Sequence, residues 1–178
     1  LKRIGLLFLI SLVLLPLTVP STAFSQRKRT SAPRPKTSNV TTAAQRTSEI
    51  RTGGATQVAD QIKLLTRFIY LLGGVTSGIA AVDEAARRNE ASPSVVQKNQ
   101  QSKATVRTSV QGFREALDKL EIDFRATPEL QPYYIKLAGV ANGAATAEQQ
   151  AAANQFDASG RTLLTVINKL TDVLLAMR

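Results

Sequence analysis

The chain has 178 residues, 43% hydrophobic and 20% charged, with 23 Lys plus Arg against 13 Asp plus Glu and no Cys, His or Trp. That length supports one domain with a substantial core. The missing side chains exclude disulfide staples, the usual zinc, haem and iron–sulfur ligand sets, and every triad or dyad that depends on Cys or His.

Lys2 and Arg3 precede an apolar run from Ile4 to Val19, which ends in Pro20 and the small-residue stretch Ser21 to Ser25. A cationic start, an apolar middle and a small-residue end make residues 1–25 a signal peptide, cleaved after Ser25 in preference to Ala23. Export to the periplasm or the extracellular space is therefore expected. The alternative is an inner-membrane anchor that stays uncleaved. Its apolar run of 16 residues is short for a span and contains Pro16, although the seven basic residues behind the run would hold the body inside.

Residues 26–53 are predicted to be a disordered basic linker rich in Ser, Thr and Pro, because nothing in them repeats with helix or strand periodicity. Arg27, Lys28, Arg29, Arg34, Lys36, Arg46 and Arg51 stand here against Glu49, so +6 of the formal +10 lies between residues 26 and 51. As a polyanion contact, Arg27, Lys28, Arg29, Arg34 and Lys36 would meet anionic lipid or acidic cell-wall polymer, each cation contributing about 1 kcal/mol near an anionic membrane. As a spacer, the segment would only hold the body away from the membrane. Nucleic acid is disfavoured, since no aromatic residue is interleaved to stack on bases.

Residues 54–178 are nearly neutral, and their apolar residues recur at steps of three and four, which is helix periodicity. The expected fold is all-α: an elongated antiparallel bundle of three long helices, 55–89, 93–126 and 147–177, and one shorter helix, 129–141. Ser92 with Pro93 and Thr127 with Pro128 read as helix starts, and Asn142-Gly143 reads as a stop.

If the first two helices fold back on each other, Ile69 faces Leu117, Leu72 faces Phe113, and Asp83 meets Lys103 where both seams turn polar. An ion pair that sets register is the commoner meaning of such a coincidence, a catalytic or binding pair the sharper one. The first helix carries a second apolar stripe, Leu64, Leu71, Gly78 and Ala85, with Gly74 and Gly78 spaced for a close approach. Packing against the third or fourth helix is the commoner explanation, and a face for another chain is the alternative. A membrane span over Phe68–Val82 is disfavoured, being only 15 residues between Arg67 and Asp83.

Glu115, Asp118, Glu121 and Asp123 are interleaved with Arg114, Lys119 and Arg125 and read as a solvated, internally paired face. Tyr133 and Tyr134 read as packing onto the core. No catalytic residue, cofactor or metal is expected. The sequence therefore points to a non-enzymatic exported bundle that works as an interaction or structural module of the cell envelope, with another protein or its own copy as partner. The alternatives are a membrane-surface or polyanion adaptor acting through the basic segment and a carrier of apolar ligands.

Overall fold

The computed structural model describes residues 42–178, and the expected signal peptide and most of the basic linker lie outside them. The described residues form five α-helices and no strand: α1 Ala43–Arg87, α2 Pro93–Ala126, α3 Gln131–Leu137, α4 Val140–Ala152 and α5 Phe156–Ala176.

α1 starts twelve residues before the position expected from periodicity, because Thr42 and Gln45 close a capping box. The Thr42 backbone N–H donates to Gln45 Oε1 at 2.8 Å, and the Gln45 N–H donates to Thr42 Oγ1 at 3.3 Å. Two of the free donors at the helix start are thereby satisfied. The helix continues without interruption through Gly53 and Gly54, so the expected linker is helical in its last eleven residues. At 45 residues α1 is about 67 Å long. It stops where Asn89 takes a left-handed φ of 58°, with Glu90 N–H bonded to Ala85 C=O. Asparagine tolerates that conformation better than other side chains.

The long final helix expected over 147–177 is two helices. Asn154 has φ 61°, the Gln155 N–H returns to Gln150 C=O at 2.8 Å, and the chain reverses between α4 and α5. The expected stop at Asn142-Gly143 is likewise absent. The break falls at Gly139, whose φ of 87° suits a residue without Cβ, and α4 runs straight through Asn142 and Gly143. Glu121 of α2 supplies the missing cap, its Oε1 accepting from the Ala141 N–H at 2.8 Å.

α1, α2, α4 and α5 form a ring in which each helix packs on its two neighbours, and α3 leans on α2 and α5. The core is the set of seam residues Val58, Leu65, Leu72, Val110, Leu117, Phe124, Leu163, Val166, Leu170 and Val173, joined by the small α4 face Ala144, Ala147 and Ala151. Small residues let α4 approach closely. A Cβ placed on Gly143 would stand 2.9 Å from Val166 Cγ2, so Gly143→Val is expected to cost about 2 kcal/mol by forcing the two helices apart. Thermal unfolding would register it as a lowered midpoint, and an unchanged midpoint would mean that the α4/α5 crossing has room for a side chain.

The ring does not extend along the whole of α1 and α2. α5 begins beside Leu72, Gly73 and Thr76, and α4 ends where Asn154 Oδ1 accepts from Arg107 Nη2 at 2.7 Å. Beyond these points α1 and α2 continue as a two-helix hairpin.

Candidate functional site

The hairpin is held together by a polar knot. Lys103 Nζ lies 2.7 Å from Asp83 Oδ1, and the same oxygen accepts from Asn99 Nδ2 at 2.7 Å. Lys103 and Asn99 are buried, while Asp83 keeps partial contact with water. One carboxylate thus serves two donors from the facing helix. The structure brings Asp83 and Lys103 together between the two helices, and among the described residues neither forms a further ion pair, an arrangement suited to fixing helix register rather than to moving protons.

The carboxylates of α2 are engaged structurally. Arg114 lies between Asp118 at 2.9 Å and Glu148 of α4 at 2.8 Å, Lys119 pairs with Asp123 at 2.7 Å, and Glu121 caps α4. Tyr133 and Tyr134 pack against the core. Among the described residues no group of three or more Asp and Glu is arranged to hold a metal ion.

The second stripe of α1 is where the structure departs from the commoner expectation. Leu64 is 52% exposed, Leu71 55% and Val75 39%, and a Cβ added at Gly74 or Gly78 would meet nothing within 4 Å. α5 packs on the far flank of the buried seam, beside Ile69, Gly73 and Thr76, and the stripe lies about a third of a turn round the helix from that seam. No helix covers it.

The stripe is not an isolated line of apolar side chains. It forms one wall of an open groove whose other wall is α2. About 400 Å³ of the groove lies between Phe68, Leu71 and Val75 of α1 on one side and Lys98, Ser102, Thr105 and Val106 of α2 on the other. A further 300 Å³ continues between Gly74, Gly78 and Val82 and the α2 residues Val95 and Lys98. Val95 is itself 44% exposed. Sequence reasoning identified the α1 wall but missed the α2 wall, because Val95, Lys98, Ser102 and Thr105 mix apolar and polar types and trace no stripe. The only signal was their spacing of three and four.

Because Leu64 and Leu71 point into solvent, the double substitution Leu64→Glu, Leu71→Glu is expected to leave stability within about 1 kcal/mol of the parent. Urea unfolding measures this directly. A loss of several kcal/mol would place the stripe in the core.

Arg27, Lys28, Arg29, Arg34 and Lys36 lie outside the described residues. No family model matches the chain, and comparisons with curated proteins and with solved structures find no match.

Proposed function

We propose that this chain is a non-enzymatic exported protein whose helical bundle serves as an interaction module of the cell envelope, docking through the groove and stripe shared by α1 and α2. The observation that carries the reading is the stripe itself: Leu64, Leu71 and Val75 lie open on a well-packed bundle beside a groove that no helix of the described residues fills. Contiguous apolar surface of this kind marks interaction sites more often than solitary exposed leucines do. Export is supported by the signal-peptide pattern of residues 1–25, and a non-enzymatic role by the lack of His and Cys for acid–base, nucleophilic or metal chemistry.

A photoreactive residue placed at position 71 tests the reading in cells that express the protein. It is expected to capture a partner at much higher yield than the same residue at position 168, which is exposed on α5 away from the stripe. Equal yields at the two positions would overturn it.

A further inference from the structure

The charge distribution of the face selects among its potential occupants. From Leu64 to Val82 α1 carries a single charged residue, Arg67, and from Pro93 to Phe113 α2 carries Lys98, Lys103 and Arg107 without one carboxylate. Lys103 is spent on Asp83 and Arg107 on Asn154. Arg67 and Lys98 remain exposed on or beside the stripe, with no ion pair among the described residues. Asp60, one turn before Leu64, is paired with Lys63, so the open charges along this stretch are cations, and such a face suits a partner that is apolar within and anionic at its surface.

A second copy of the chain fits less well. Leu64 to Val82 spans about 27 Å and two helices are about 20 Å wide, so the face offers roughly 500 Å², short of the ~800 Å² per partner of a standard interface. Bringing two such faces together would also concentrate cations. A bilayer requires no minimum area of that kind, and the basic segment of the same chain, +6 between residues 26 and 51, offers a second attraction of the same sign. Stable peripheral attachment generally combines an apolar contact with a polybasic one.

We propose, resting on the docking-face reading above, that the α1/α2 face lies on an anionic lipid bilayer. Leu64, Leu71, Val75 and Val95 enter the boundary between headgroups and acyl chains, and Arg67 and Lys98 contact lipid phosphates. α1 is long and apolar enough to cross a membrane by length and composition, but Asp83 is tied to Lys103 and Asn99 of α2. The hairpin therefore lies along the surface and does not span it.

The chain contains no Trp, so Leu71→Trp supplies a single reporter on the face and Leu175→Trp, at an exposed site on α5, a single control. Purified variants are mixed with vesicles of equal phosphatidylglycerol and phosphatidylcholine, and with phosphatidylcholine alone. The expected result is a blue-shifted emission for Leu71→Trp on anionic vesicles only, with no shift for Leu175→Trp. Leu64→Glu with Leu71→Glu should lower vesicle binding at least tenfold, and Arg67→Gln with Lys98→Gln several-fold at low salt, the difference fading as salt rises.

Vesicle binding without a shift at position 71 would mean that the basic segment alone makes the contact, and overturns the proposal. So would equal shifts at both positions, or a shift at position 71 that grows with protein concentration in the absence of lipid, the signature of a second copy. If position 71 stays unshifted on vesicles but still captures a protein in cells, the lipid assignment falls and the docking face stands. If it does neither, both fall.

Discussion

Phe124→Ala is expected to be the most damaging single truncation, costing about 4 kcal/mol. Phe124 is fully buried near the end of α2, where α3 and α5 enclose the core. A well-packed core held by several helices relaxes only partly into the space left behind. For a body of this size the thermal midpoint should fall by roughly 12 °C. The informative comparison is Phe68→Ala. Phe68 is only partly buried, and its main aromatic contact is edge-on with Phe113 at 5.0 Å between ring centres. Its loss should cost about half as much, because water already reaches one side of the ring. Equal losses at the two positions would show that the groove beside Phe68 is closed in solution.

Removing Asp83 alone should cost about 2 kcal/mol, since it strands a buried Lys103 ammonium and leaves the Asn99 amide only its long 3.4 Å bond to the Ile79 carbonyl. Replacing both members of the pair, Asp83→Leu with Lys103→Leu, should recover most of that loss, because an apolar pair of similar size needs no desolvated charge. Urea unfolding of the two single variants and the double variant gives the coupling directly. A double variant no more stable than Asp83→Leu would mean that the pair contributes more than register, and would reopen the question of a binding role.

The seams of α1, α2 and α5 were legible because each buries one stripe, and the stripe repeats every three or four residues whatever covers it. The α1/α2 pairing was legible too: Pro93 fixes where the second helix starts, so the polar residues of both seams have to meet at one level. The break at Asn154 was hidden. Ala152, Phe156 and Ser159 keep helical spacing across it, and the left-handed turn rests on one asparagine behind three helix-favouring alanines. Gly143 misled in the opposite direction, since a glycine that ends a helix and one that admits a neighbour look alike until the neighbour is known.

The start of α1 was available in Thr42 and Gln45 but was outweighed by the basic composition around them. For the candidate site, the α1 stripe was readable as apolar residues off the main seam. Whether it was covered depended on which flank α5 chose, and that follows from contacts such as Met177 against Gly54, far apart in sequence.

That last contact also orders the assembly of the protein. Met177, just past the end of α5, packs over Gly54 in the first third of α1. The ring therefore cannot close while the final helix is still inside the ribosome. Until then the partially synthesised chain has one finished hairpin and exposed seams on Val58 and Leu65, and the ring stays open until α5 has emerged.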